Sequence, residues 1–269
     1  PGEVRRPVAF ALKHDSVVVV DAAKPYGLLY APTGEYIRTI PSPGVSLAGA
    51  VFLRGDSVVI HHLITDEERF GYPLHLLAPD GQVIRSFGSE DRSVDPRSPI
   101  AGRRILARAS DSSVWVGRYD GFLIEEWSTA GKVLSRFTPE ADWMVRDSTV
   151  PWGPIDRVRP QPTLQAISCC SNGLMLAIYQ RARPDWRPGV DSGGGERTVL
   201  PAADYLQYIT QSVVAMDTRS GRVLAEGQIP EVVLGGFAGD ARVTGFVGAE
   251  DGRQLWVIVR VEVPDGLDN

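Results

Sequence analysis

The chain is poor in the residues that usually announce chemistry. It has two cysteines, four histidines and three methionines in 269 residues. Cys169 and Cys170 are adjacent, which excludes a framework of cross-links between distant segments. The pair reads as two small core-strand residues, with a strained vicinal disulfide as the alternative. No Cys-x-x-Cys spacing or nearby histidine completes a metal site around them. Long hydrophobic runs are missing too: the best, Val17–Val20 and Leu174–Tyr179, fall far short of the ~18 to 20 residues of a membrane helix. There is no basic excess, since 28 Lys and Arg stand against 33 Asp and Glu for a net charge of −5. A phosphate-binding surface as the main purpose is thereby disfavoured, and nucleic acid is not expected as a partner.

Catalytic motifs are equally scarce. No HExxH, EF-hand loop, Walker loop or GxGxxG occurs. Gly44–Gly49 is one residue too long for a G-x-S-x-G elbow and precedes a strand rather than a helix. Gly193, Gly194 and Gly195 lack the Lys-Ser/Thr of a phosphate loop and read as a flexible connection. Glu125 and Glu126 alternate along a strand and so point to opposite faces. No motif calls for a cofactor, and no catalytic residue is assigned.

What is present is repetition. Twenty-eight glycines and 20 prolines suit a chain of many short strands and many turns. The stretch Asp15–Ile40 reads as a turn, a β-branched strand (Val17–Val20), an apolar strand (Leu28–Tyr30), a Gly turn at Thr33-Gly34 and a last strand (Tyr36–Ile40). The same order returns at Asp56–Gly88, at Asp111–Phe137 and, stretched, at Asn172–Ile229. A further apolar segment precedes each unit: Pro7–Leu12, Val45–Leu53, Arg104–Ala109 and Thr163–Cys170. A fifth, Val243–Ala249, precedes Asp251-Gly252. Each unit therefore holds four strands, closed by Gly turns of a strong hairpin type. The period judged from Gly34, Gly81 and Gly131 is ~45 to 50 residues, which marks a β-propeller blade. The fold expected is an all-β propeller of four-stranded antiparallel blades, with about five blades visible on a six-blade plan. It spans 1–269 as a single domain, with long inserts at about 139–162 and 181–211. Leu255–Val263 is expected as the second strand of the fifth unit. The chain begins at Pro1 rather than Met, so something is expected to have been removed or left out upstream; a cleaved leader, a lost anchor or simple trimming would each explain it.

The pattern D-S/G-x-V/L-W/V-V followed by Y/W-x-x-x-G-x-V/I-x-x-F, seen at Asp56–Phe87 and Asp111–Phe137, resembles six-bladed propellers of the NHL or TolB-like kind found in bacterial envelope proteins. The resemblance covers nearly the whole chain but transfers no site residue. Such propellers include scaffolds, ligand binders and a few lyases and lactonases. The resemblance implies a periplasmic or otherwise extracytoplasmic location.

Two groups of residues stand out as candidate sites. Arg181, Arg183, Trp186 and Arg187 in one insert, with Trp143, Trp152, Arg157 and Arg159 in the other, form basic-aromatic clusters of the kind enriched at protein interfaces. The blander reading is a solvated, proline-containing loop, or indoles folded back onto the body. His61 and His62 end one strand and His75 lies on its neighbour, so a two-histidine metal site across the hairpin is a weak candidate beside ordinary strand-end histidines. The function expected is a non-catalytic protein-binding or scaffold propeller, a subunit of a larger membrane-associated complex, with other protein subunits as partners and no membrane span of its own. The alternative is a propeller hydrolase or lyase, metal-assisted through His14, His61 and His62, or a small-molecule sensor using the central channel.

Overall fold

The computed structural model describes residues 7–13, 16–21, 26–41, 49–53, 57–61, 68–69, 71–88, 103–144, 153, 155, 157–169, 173–188, 206–229, 232–237, 242–248 and 254–262. Among them lie nineteen strands in five sheets. The first sheet is β1 (Pro7–Lys13), β2 (Ser16–Asp21), β3 (Tyr26–Tyr30) and β4 (Tyr36–Pro41). The second is β5 (Gly49–Phe52), β6 (Val58–His61), β7 (Leu74–Leu77) and β8 (Val83–Phe87). The third is β9 (Arg104–Arg108), β10 (Ser113–Arg118), β11 (Ile124–Ser128) and β12 (Val133–Phe137). The fourth is β13 (Thr163–Cys169), β14 (Leu174–Ala182), β15 (Ile209–Asp217) and β16 (Val223–Gln228). The fifth has three strands, β17 (Val233–Phe237), β18 (Arg242–Gly248) and β19 (Gln254–Arg260).

Strands pair antiparallel with their sequence neighbours throughout. This is the all-β propeller with four-stranded blades. The chain falls into two compact units, Pro1–Phe137 and Thr138–Asn269. Two expectations about the fifth unit are corrected. Val243–Ala249 reads as its first strand and Leu255–Val263 as its second, but β18 is the second and β19 the third, because Val233–Phe237 pairs ahead of them. The two glycines in VLGGF mask the strand signal, since glycine has no side chain to pack on a pleated surface.

The Gly turns explain why the units repeat so regularly. In the first three blades a glycine with positive φ closes the outer hairpin: Gly34 (82°), Gly81 (87°) and Gly131 (76°). Each N–H reaches back to the carbonyl of Ala31, Ala78 or Ser128 at 2.9 Å. A register shift follows in the ladder beside each turn, between Leu29 and Tyr30, Leu76 and Leu77, and Glu126 and Trp127. That is a tight turn ending in a left-handed residue and a bulge, and only glycine adopts that backbone cheaply. Gly221 (75°) does the same for β15–β16 with one more residue in the loop.

Period-two alternation then decides which side chains meet between sheets. Val18, Leu29 and Ile40 of the first sheet pack on Phe52, Val58, Ile60 and Leu77 of the second. The opposite face of the second sheet, carrying Val59, Leu74 and Leu76, packs on Val114 and Val116 of the third, with Leu106 and Trp127 alongside. In the second unit Ala166, Ile178 and Val213 meet Val232, Leu234 and Val243. Each sheet thus hides apolar surface that it cannot bury alone. Every fully buried leucine or isoleucine in these layers contributes roughly 1.5–3 kcal/mol.

Candidate interaction surface

Both long inserts leave the same edge of the fourth sheet. The first runs into the start of β13, and the second joins the end of β14 to the start of β15. Arg181 and Ala182 still belong to β14, where they pair with Thr210 and Ile209. The Arg183 N–H extends that ladder to the Tyr208 carbonyl, 3.1 Å away.

Trp143 and Arg181, one from each insert, come together. The Arg181 guanidinium lies over the Trp143 ring, 4.5 Å from its centroid. The indole meets Tyr179 edge to face at 5.5 Å. Glu226 on β16 binds the group from below. Its Oε1 accepts from Arg181 (3.2 Å) and from Ser212 Oγ (2.7 Å), and its Oε2 accepts from Trp143 Nε1 (3.0 Å). The strand register explains the convergence. Tyr179 faces Ser212, Arg181 is two residues along β14, and Glu226 is opposite Val214 on β15. All these side chains therefore project from one face of the sheet. Burial pushes the Tyr179 phenol well above its ordinary pKa, so it stays neutral beneath the cluster. The turn carrying Trp143 is fixed by Glu140, whose N–H reaches the Gly221 carbonyl at 3.3 Å.

Trp186 ties the second insert to the first, its Nε1 donating to the Ile155 carbonyl at 2.9 Å. Both described indoles are half-buried, so they fold back rather than standing in solvent. Arg183 pairs with Asp185 at 2.9 and 3.3 Å. The hydrogen bond from Arg183 is the main cause that holds the Asp185 carboxyl below its usual range. Arg157, Arg159 and Arg187 are exposed. Trp152 lies outside the described residues.

The two described histidines, His61 and His75, are not brought together. His61 pairs with Leu74 and His75 with Ile60 across the β6–β7 ladder, so adjacent register positions send the two rings to opposite faces of the sheet. His75 is fully buried, its Nδ1 2.8 Å from Ser86 Oγ. His14 and His62 lie outside the described residues, and among the described ones no group of three metal-ligating side chains occurs. The two adjacent glutamates part as their alternation predicts. Glu125 pairs with Arg136 at 3.3 Å, and Glu126 accepts from Ser113 Oγ at 2.7 Å. Cys169 ends β13, half-buried, and Cys170 is outside the described residues.

No protein-family model and no curated protein matches the chain. Solved structures do. The chain is similar to the WD40 β-propeller domain of Doa1, at 12% identity and a TM-score of 0.50, over 94% of this chain and 63% of that one. It is similar also to a protein of Bacteroides fragilis described as exported, at 10% identity and a TM-score of 0.50, over 92% of this chain and 68% of that one. At such identities the likeness is one of fold: this chain is a β-propeller. It spans less than two thirds of the Doa1 propeller domain.

Proposed function

We propose that the chain is a non-catalytic protein-binding or scaffold propeller, an extracytoplasmic subunit of a larger membrane-associated assembly. One observation carries the binding half. Two inserts emerge at one edge of the fourth sheet and are pinned by Trp143 and Trp186, and the exposed Arg157, Arg159 and Arg187 stand on that fixed base. A rigid base lowers the ordering cost of association, and arginine is favoured at interfaces for its planar, multivalent guanidinium. The extracytoplasmic half is supported by the resemblance to envelope propellers and by the exported Bacteroides fragilis neighbour. We further propose that residues 1–269 act as one propeller domain on the six-blade NHL or TolB-like plan.

The test is gentle purification from native membrane and soluble fractions, comparing the natural chain with Arg157→Glu/Arg159→Glu/Arg187→Glu. The expected outcome is fixed-ratio co-migration with a protein partner, lost in the triple variant while the thermal midpoint is unchanged. A natural chain that runs alone in both fractions, or a triple variant that still co-migrates, would sink the proposal.

A further inference from the structure

A second feature lies in the outer hairpins. The bulge beside each Gly turn leaves one residue of the last strand without a place in the ladder. It is Ile37 on β4, Ile84 on β8, Leu134 on β12 and Leu224 on β16. Each stands three places after its turn glycine. A bulge re-aims the side chain of its extra residue, and on an outer strand a charged side chain is the usual guard against strand addition. Here all four are apolar. Ile37, Ile84 and Leu134 are 49%, 57% and 58% exposed. They are three of the five exposed large apolar side chains among the described residues, so the exposure follows the repeat. Leu224 alone of the four is half-buried.

The fourth sheet shows what lies over such an edge. Glu140 pairs in parallel with Arg222, its N–H on the Gly221 carbonyl at 3.3 Å, and Gly221 is buried. The Arg222 N–H and carbonyl are engaged inward, by Ser220 Oγ at 3.2 Å and the Asp217 N–H at 3.0 Å. The glycine carbonyl is thus the acceptor that an added segment meets. The third sheet repeats the arrangement without the cover. The Lys132 N–H and carbonyl are held inward by Ser128, at 3.2 and 2.9 Å. Among the described residues no backbone N–H reaches the Gly131 carbonyl. Exposed Lys132 holds the place of Arg222, and Leu134 that of Leu224. The first two sheets carry Glu35 and Gln82 where Lys132 stands, so the third sheet alone of these offers a cation there.

We propose that the outer edge of β12 takes up an extended segment of a partner protein, added parallel to the strand. An acidic residue of that segment lies beside Lys132 with its N–H on the Gly131 carbonyl, as Glu140 lies beside Arg222, and an apolar residue covers Leu134. In strand addition the main-chain hydrogen bonds supply affinity and the alternate side chains supply specificity. Opposite charges at neighbouring strand places favour the pairing. The proposal rests on the protein-binding reading only in taking a protein as partner. It uses none of Arg157, Arg159 and Arg187, so either surface can fail without the other.

The probe is the blocked heptapeptide TVEVIVT, titrated into the full chain and followed by backbone amide resonances. Saturable shifts are expected at Lys132, Val133 and Leu134, with a Kd of about 1 mM or tighter. The same peptide N-methylated at its glutamate lacks the donor for the Gly131 carbonyl and is expected not to bind. Leu134→Lys changes an exposed side chain and should spare the fold; it is expected to weaken the peptide at least ~10-fold. A spin label on the peptide N-terminus should broaden Lys132 before Phe137. The variant Arg157→Glu/Arg159→Glu/Arg187→Glu should bind the peptide as the natural chain does, which tells failure here from failure of the insert surface. No saturable shift, equal binding of the methylated peptide or an unchanged Kd in Leu134→Lys would overturn the proposal. Broadening that starts at Phe137 would overturn the parallel alignment, and equal shifts on β4 and β8 would overturn the role given to Lys132.

Discussion

Asp217 holds the turn between β15 and β16 with both carboxylate oxygens. Oδ1 accepts from the Arg219 N–H at 2.8 Å and Oδ2 from Ser220 Oγ at 3.0 Å. These bonds, the Arg219 N–H first, keep its carboxyl below the ordinary pKa. The native state therefore favours the ionised form more than the unfolded chain does. Its stabilisation is complete above the ordinary carboxylate range and is lost as pH falls through the lowered native value. Asp217→Asn keeps one acceptor and loses the charge. We expect the variant to be less stable than the natural chain at about pH 7 and the gap to narrow as pH falls below the ordinary carboxylate range. Denaturant midpoints measured across the acid range check this, and a gap that does not narrow as pH falls would contradict it. At this scale the sequence is legible where backbone geometry dictates the residue. Gly34, Gly81 and Gly131 each read as turns, and each has the left-handed backbone that glycine alone accepts freely. It is less legible where a side chain's company decides its role. His61 and His75 look like a pair until the register separates them.

At the scale of elements, the cluster on the fourth sheet carries the prediction. Trp143→Ala removes the edge-to-face contact with Tyr179, the stacking on Arg181 and a donor to Glu226. A loss of about 2–3 kcal/mol in unfolding free energy is expected, below the full cost of truncating a buried aromatic because this indole is only half-buried. In a double-mutant cycle with Glu226→Ala the two losses should fall short of additivity, since both remove the same hydrogen bond. Additive losses would mean that the bond contributes nothing. Strand and hairpin order was legible from alternation and Gly turns, including all three strands read in Asp15–Ile40. The insert contacts were not, because the partners of Trp143 and Trp186 lie 83 and 31 residues away in sequence. The repeat also hid β17, whose glycines dilute the apolar pattern.

At the scale of the whole molecule, stacking between sheets must be specified as well as pairing within them. Gln211 shows one device for this in the second unit. Buried on β15, its Oε1 accepts from the Leu234 N–H at 2.7 Å and its Nε2 donates to the Leu234 carbonyl at 3.3 Å. The side chain thus completes the outer edge of β17 as a neighbouring strand would. Gln211→Leu leaves two buried backbone groups unpaired, and we expect a loss of about 2–4 kcal/mol. Amide exchange should accelerate at Leu234 before it does within β14. A neutral result would show that the two sheets are held by apolar contact alone. In each four-stranded sheet the hairpins from first to second and from third to fourth strand close at one edge. In the fourth sheet both long inserts leave from the other. The chain therefore has a built-in handle. Attached to a solid support through Arg219, in the turn after β15, the fourth sheet would present its insert edge to solution, whereas attachment through Arg187 would press that edge against the support. The two orientations give a sensor surface that can be switched between open and blocked by choosing a single residue.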